Sequence, residues 1–485
     1  MNTFNGLKPE AIWNYFEEIC QVARPSKKEE KMIQFLLEFG KKNNLETKRD
    51  EAGNVLIKKP ATRGKENLKP IILQSHIDMV CEKNSDVVFD FEKDAIQPFI
   101  DGDWVKAKGT TLGADDGIGI AAEMAILTAN NIEHGPIECL FTVDEETGLS
   151  GAFALKKGFF DSKILLNLDS EDEGELFIGC AGGIDTVAYF QYNTQKVPAD
   201  HCAVKIQVSG LKGGHSGDDI EKGLGNSNKI LNRFIWNSTY KFNAKISTID
   251  GGNLRNAIAR EAYAILTLPK ENKDKFTEYV RYFEKDVKFE LSHTEPGLKF
   301  SYEEVSLPSF LIDDATQKNL INAVYACPHG VIAMSRSMPG LVETSSNLAS
   351  IKFKDDKIIV TTSQRSSVNS SKRDIANMVE SVFLLAGAAV EHSEGYPGWT
   401  PNTNSEILNI AKISYKKLFG IEPNVRAIHA GLECGLFLEK YPDLDMVSFG
   451  PTLRGVHSPD EKINIPSVQK FWDLLLEILN NIPIK

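Results

Sequence analysis

Five short stretches of the 485-residue chain bring a histidine or a carboxylate to the point where an apolar strand or a glycine-rich loop runs out. The first is Ile71-Ile72-Leu73-Gln74-Ser75-His76-Ile77-Asp78. Side chains alternate along a strand, so His76 and Asp78 fall on one side, as a metal-binding imidazole and the carboxylate that orients it would. In Gly113-Ala114-Asp115-Asp116-Gly117 two adjacent aspartates precede a helical run. Capping explains one of them, because carboxylates are favoured at a helix start, but it explains the glycine-rich approach less well. Cys139-Leu140-Phe141-Thr142-Val143 ends in Asp144-Glu145-Glu146, three acids whose mutual repulsion needs a cation or solvent to relieve it. Ile164-Leu165-Leu166-Asn167-Leu168-Asp169 delivers a carboxylate at the C-terminal end of a strand, the edge where open α/β sheets bind ligands. Gly455-Val456-His457-Ser458-Pro459 adds a loop histidine from far along the chain.

Each stretch alone has a plainer reading, such as a capped strand end or a solvated acidic loop. Together they offer nitrogen and hard oxygen donors from several strand ends and loops, a mixture suited to zinc and its neighbours. The seven cysteines form no Cys-x-x-Cys pair, which favours an open catalytic site over a closed structural one. Two cations sharing one bridging carboxylate would need only His76, Asp115, Glu146, Asp169 and His457 to have three protein ligands each, with room left for water.

The elements that must position these groups follow the same order. Apolar periodicity predicts helical structure from Lys8 to about Lys42, interrupted at Arg24-Pro25-Ser26. Short β-type runs at 55–57, 71–73, 137–143 and 164–168 alternate with a helix at 118–127, and a similar helix-strand style returns from about 411 to 482. Between them, longer strands (202–208, 262–268, 357–362) are separated by amphipathic helices near 226–236, 276–289, 315–326 and 373–390. This predicts an α/β catalytic domain made of residues 1–184 and 398–485, interrupted by an α+β insertion at 185–397. The insertion contains two β/α groups in succession, as a duplicated unit would, without a convincing sequence repeat. Gly395-Tyr396-Pro397-Gly398-Trp399 is the expected return crossover or hinge.

Hydrophobic residues make up 42% and charged residues 25% of the chain, so it can bury sizeable cores. Its 55 basic and 67 acidic residues leave a net charge of −12, which argues against a nucleic-acid partner. No basic n-region opens the sequence and no apolar run approaches a membrane span, so neither secretion nor membrane insertion is expected. Scattered, odd-numbered cysteines fit reduced thiols and a cytoplasmic location.

The five stretches, in this order, resemble the metal-site motifs of the co-catalytic zinc peptidases of aminoacylase and carboxypeptidase G type. Chain length, the large insertion, and the stretches Gly213-Gly214-His215-Ser216-Gly217 and His429-Ala430-Gly431-Leu432-Glu433-Cys434-Gly435 narrow the likeness to the aminoacyl-histidine dipeptidases of that family. The resemblance spans essentially the whole chain, with no departure at a ligand position. It implies a zinc-peptidase (phosphorylase/hydrolase-like) α/β domain with an inserted lid. It also implies that Asp115 bridges two divalent ions, with His76 and Asp169 completing one and Glu146 and His457 the other. Zinc is the first expectation, and cobalt or manganese could also serve. By the same likeness Asp78 orients His76, Glu145 is the general base, and the Asp115-Asp116 peptide is cis. His215 would stabilise the oxyanion from the lid, with Asn256, Arg365 and the Gly431 backbone contacting substrate.

Metal-activated water with Glu145 as the proton carrier would hydrolyse a peptide bond, and a guanidinium fork at Arg365 suits a free C-terminal carboxylate. The expected activity is hydrolysis of unblocked dipeptides, with Xaa-His favoured, by a monomer or homodimer acting on a small peptide substrate. The competing readings are a relative cleaving N-acyl amino acids, β-alanyl dipeptides or tripeptides, and an inactive metal- or peptide-binding homologue. The last would have lost Glu145 or a ligand, and all are present.

Overall fold

Buried apolar runs become the central strands of the first sheet in the computed structural model, which describes residues 3–354 and 356–485. Ile137–Thr142, Ile71–His76, Ile164–Asn167 and Asp445–Ser448 lie side by side in that order, all parallel. Every residue of the first three is buried, as expected of a parallel sheet covered on both faces. The strands end nearly level: His76 lies opposite Thr142, and Gln74 lies opposite both Leu140 and Asn167. Val55–Lys59 and Glu46–Arg49 extend one edge antiparallel, and Glu175–Cys180 and Asn424–Ile428 the other.

The helices packed on this sheet follow from their apolar spacing. Glu10–Cys20 buries Ile12, Trp13, Phe16 and Ile19, with Phe4 and Trp13 rings 5.2 Å apart. Ala114–Thr128 is buried almost throughout, as its run of Gly, Ala, Ile and Leu demands. It extends the predicted helix toward its N-terminus and takes in the two aspartates, whose own backbone angles are not helical. Glu406–Phe419 and Ile465–Asn480 are amphipathic and capped by Ser405 and Asn464. A small antiparallel sheet pairs Leu453–Arg454, Lys462–Asn464, Trp104–Ala107 and Pro98–Asp101, and His457 sits in its hairpin loop with φ 61°.

These elements make up one compact unit, Met1–Gly179 with Pro401–Ala427 and Leu432–Lys485; Cys180–Thr400 with Ile428–Gly431 forms the second. Relative to the boundaries read from sequence, Ile428–Gly431 joins the inserted unit. The reason is local: the Ala181 N–H reaches the carbonyls of Ile428 and Ala430, and Ser345 Oγ lies 2.8 Å from His429 Nε2.

The second unit is an antiparallel sheet of nine strands among the described residues, in two halves. One half runs Lys299–Val305, His201–Ser209, Ala262–Pro269, Lys245–Gly251, and the other Val342–Lys354, Lys357–Ser366, Gly182–Gln191, Ala389–His392, with the ninth strand, Gly330–Met334, paired to Val342–Lys354 off this path. They join where Gly251 lies opposite Ile351. Helices Ser227–Phe242 and Lys273–Glu290 pack on the first half and Asn369–Leu385 on the second, while Asp314–Ala326 lies against Ser227–Phe242, with Gln317 bonded to the Ile246 N–H and the Ala244 carbonyl. Phe234 is the centre of an aromatic core with Phe276, Phe283 and Phe300. The predicted helix at 373–390 stops at Leu385, because Gly387 takes φ 77° and Ala389–His392 turns into an edge strand beside Gly182–Gln191.

Candidate metal centre

The level strand ends set one rim of the first unit, and the sequence-predicted donors converge there. His76 ends its strand 1% exposed, with Nε2 2.9 Å from Asp115 Oδ1 and 3.5 Å from Asp169 Oδ1. The other oxygen of Asp115, Oδ2, faces His457 Nε2 at 3.3 Å, and that nitrogen is 3.0 Å from Glu146 Oε2. Two donor triads result, His76–Asp115–Asp169 and Asp115–Glu146–His457, with Asp115 common to both. Glu145 joins a third grouping with His76 and Glu146.

The adjacent aspartates divide the labour that the sequence left open. Asp116 accepts the Gly119 N–H at 3.1 Å and so caps the helix, while Asp115, across a cis peptide, turns its carboxylate between the histidines. The three acids after Thr142 divide likewise. Asp144 is structural: it takes φ 51° and accepts hydrogen bonds from the Thr147 and Ser150 hydroxyls. Glu145 and Glu146 are left to face the donors.

Asp78 fastens both sides of this arrangement. Its Oδ1 lies 3.2 Å from His76 Nδ1 and accepts the Glu145 N–H at 3.0 Å, and its Oδ2 accepts the Ser26 hydroxyl at 2.8 Å and the Glu146 N–H at 3.2 Å. Burial alone would raise Asp78, but these bonds and the adjacent His76 hold it below the ordinary carboxylate range.

Three further residues were not singled out by sequence reasoning. Glu461 accepts backbone N–H groups from Leu112, Gly113, Ala114 and, at 3.4 Å, Asp115, so one buried carboxylate shapes the loop that presents Asp115. Arg24 donates to the carbonyls of Ile77, Asp78 and Gly113, tying the His76 strand tip to that loop. Glu433 is 1% exposed and accepts from Gln74 Nε2 and Thr142 Oγ1, both at 2.7 Å, while Asn167 Nδ2 donates to Gln74 Oε1 at 2.7 Å. This chain crosses three neighbouring strands just before they deliver Glu145 and Glu146, His76 and Asp169. The available signal was an acid inside the otherwise apolar stretch Gly431-Leu432-Glu433-Cys434-Gly435-Leu436-Phe437.

The electrostatics describe a site short of positive charge. Burial pushes Asp169 up to about 7 and drives Glu145 well above its ordinary value. Hydrogen bonds to Asp115 and Glu146 raise His457 to about 11. Burial would lower His76, yet Asp169, Asp115 and Asp78 carry it well above an ordinary imidazole. Burial would raise Asp115, but His457 and His76 hold it far below the carboxylate range. The crowded carboxylates thus favour positive charge at this position. Glu146 Oε1 is in addition buried with no hydrogen-bond partner. An orphaned carboxylate oxygen, an all N/O donor set and one carboxylate shared by two triads fit divalent cations.

The remaining predicted residues belong to the second unit. His215 Nδ1 lies 3.2 Å from the Asp218 backbone nitrogen and 3.3 Å from Asp218 Oδ2. Asn256 is exposed, and its carbonyl accepts the Ser216 N–H at 2.9 Å. A cavity of about 620 Å³ opens beside His215 and Asn256, lined also by Lys212, Asp250, Arg260 and Tyr263. Arg365 is 7% exposed and donates from Nη1 to Tyr396 Oη at 2.9 Å. Gly431 packs against the Tyr396 ring: a Cβ there would stand 2.8 Å from Tyr396 Cε2.

The family model for peptidase family M20/M25/M40 matches residues 72–481, and the chain belongs to that family. It is 43% identical over 485 residues, the whole of both chains, to the cytosol non-specific dipeptidase of Escherichia coli strain K12. The crystal structure of an aminoacylhistidine dipeptidase from Vibrio alginolyticus is 46% identical and superposes with a TM-score of 0.93, covering 99% of this chain and 98% of that one. A Staphylococcus aureus tripeptidase shares the fold at 18% identity, with a TM-score of 0.57 over 98% of this chain and 99% of that one. Among the described residues no helix is long and apolar enough to cross a membrane.

Proposed function

We propose that the protein is a dinuclear metal-dependent dipeptidase of the cytosol that hydrolyses unblocked dipeptides, Xaa-His favoured. The observation that carries this reading is Asp115, whose two oxygens face two different histidines inside two carboxylate-completed triads. Family membership and the two dipeptidase relatives support it.

In this reading His76, Asp115 and Asp169 hold one ion and Asp115, Glu146 and His457 the other, with zinc the first choice. When bound, the ions polarise the scissile carbonyl and make water a competent nucleophile near neutral pH. Glu145 takes the proton of the attacking water and returns it to the leaving amine, a base-then-acid cycle worth about 10² to 10⁴ in rate. Asp78 fixes the tautomer and direction of His76 and the backbone that carries Glu145 and Glu146. From the second unit, His215 stabilises the developing oxyanion, Asn256 and the Gly431 backbone contact substrate, and Arg365 binds its terminal carboxylate.

Metal analysis before and after chelation, with activity measured on a panel of Gly-His, β-Ala-His, Leu-Leu and N-acetyl amino acids, tests the reading. About two ions per chain are expected, with turnover of the free dipeptides and a Glu145→Ala variant that keeps its metal but is inactive. Robust hydrolysis by metal-free protein would overturn the mechanism, and turnover confined to the acetylated compounds would overturn the substrate class.

A further inference from the structure

Arg365 lies on the buried strand Lys357–Ser366, yet among the described residues no carboxylate stands within ion-pair distance of it. Its Nε is buried without a partner, and its Nη1 spends a hydrogen bond on a phenol, Tyr396 Oη, at 2.9 Å. A buried cation left in this state costs free energy unless an anion completes it. Because Tyr396 Oη is the acceptor in that bond, its own proton remains available to donate. Burial pushes the phenol up, so that proton is in place at neutral pH.

The tyrosine is held as a fixed part. Its N–H donates to the Gly183 carbonyl at 2.9 Å, its carbonyl accepts the Gly183 N–H at 3.1 Å, and Lys372 Nζ donates to the same carbonyl. The ring is gripped between two glycines: a Cβ at Gly183 would come within 2.7 Å of Cε1, Cζ and Oη, and one at Gly431 within 2.8 Å of Cε2. Two donors, one charged and one neutral, therefore sit side by side with a fixed spacing, which is what the two oxygens of a carboxylate require.

The geometry points to Tyr396 as a specificity-determining residue: its hydroxyl is the second donor of a clamp, formed with Arg365, that reads the free α-carboxylate of the substrate. This deepens the dipeptidase reading and rests on Arg365 being the carboxylate anchor. It also gives Gly431 a reason, since any side chain there would displace the ring.

The test uses the metal-loaded full-length protein and two variants, Tyr396→Phe and Arg365→Gln, assayed on one dipeptide and on its C-terminal amide. Phe keeps the ring between Gly183 and Gly431, and an unchanged melting temperature checks that it does. For Tyr396→Phe the acid substrate is expected to lose about 10- to 100-fold in kcat/KM, mainly through KM, as one hydrogen bond to a charged group is lost. The amide is expected to stay within about 2-fold, so the acid-to-amide preference collapses. Inhibition by a free amino acid should weaken in parallel. If Arg365→Gln destroys the preference and Tyr396→Phe keeps it, the tyrosine assignment fails while the carboxylate reading stands. If neither variant alters it, the carboxylate reading itself fails. Equal losses on acid and amide for Tyr396→Phe would show a merely structural tyrosine and would also overturn the assignment.

Discussion

Replacing Asp78 by asparagine tests whether the metal centre is held by one carboxylate acting on two elements. All four partners of Asp78 present donors: Glu145 N–H and His76 Nδ1 on one oxygen, Ser26 hydroxyl and Glu146 N–H on the other. An asparagine has the same shape but only one acceptor, so its NH₂ must face one of those pairs. The Ser26 hydroxyl can rotate, and the imidazole can change tautomer, but neither backbone N–H can adapt. Whichever way the amide turns, one of the two N–H groups that position Glu145 and Glu146 is left facing a donor. An orphaned buried donor costs about 1 to 3 kcal/mol, and that loss falls on the state in which the site is correctly formed. Zinc affinity of Asp78→Asn is therefore expected to drop about 10- to 100-fold, the range typical of groups that orient metal ligands. Competition with a chromophoric chelator measures this directly, and thermal unfolding of the metal-free variant separates it from global destabilisation. Zinc binding within 2-fold of wild type would refute the idea that Asp78 organises the ligands.

Removing the carboxylate of Glu433 should loosen the cross-strand chain behind the site. Glu433→Leu is expected to weaken zinc binding about 10-fold, whereas Glu433→Gln, whose carbonyl can still accept from both Gln74 and Thr142, should stay within about 3-fold; equal behaviour of the two would remove the positioning role. In the second unit, burial and then the charge of Lys229 lower His329 to about 4, and its Nδ1 accepts the Leu348 N–H at 3.2 Å. Its folded pKa lies below the unfolded value, so the unfolded state binds the extra proton between pH 6.5 and 4. The stabilisation is complete above about pH 6.5 and is lost as pH falls toward 4, to an extent of about 2 to 3 kcal/mol. Hydrogen–deuterium exchange of the Val342–Lys354 strand over this interval should show protection declining in wild type and a flatter profile in His329→Gln; identical profiles would remove His329 from the account.

Most of the first unit was legible because its strands are buried on both faces and read as unbroken apolar runs. Ile71–His76, Ile137–Thr142 and Ile164–Asn167 lie within a few residues of their predicted limits. The donors were legible for the same reason, since a charge at the end of such a run is conspicuous. Their partition was not. Nothing in Asp115-Asp116 or Asp144-Glu145-Glu146 says which acid caps and which faces the histidines, because that depends on contacts far away in sequence: Glu461 holds the backbone N–H groups from Leu112 to Asp115, and Asp78 those of Glu145 and Glu146. Arg24 and Glu433 were illegible in a similar way. Each acts across a long sequence separation, Arg24 on carbonyls and Glu433 on strand ends, and neither contact leaves a local periodic trace.

The buried acids explain why such distant contacts are needed. Asp78, Asp115, Asp169, Glu145, Glu146, Glu433 and Glu461 all lie at or behind one rim, and carboxylates gathered in low dielectric repel one another unless each is bonded. Glu461 meets that requirement with four backbone N–H groups and Asp78 with two N–H groups and a hydroxyl, so both serve as scaffold. Asp115, Asp169 and Glu146 instead face the imidazoles of His76 and His457, and one oxygen of Glu146 has no hydrogen-bond partner. The contrast between carboxylates bonded to backbone N–H groups and carboxylates turned toward His76 and His457 separates the frame from the candidate ligands. It also predicts where losing a proton or a cation will be felt: at the Asp115 triads first, and at the Glu461 loop only if the frame itself is broken.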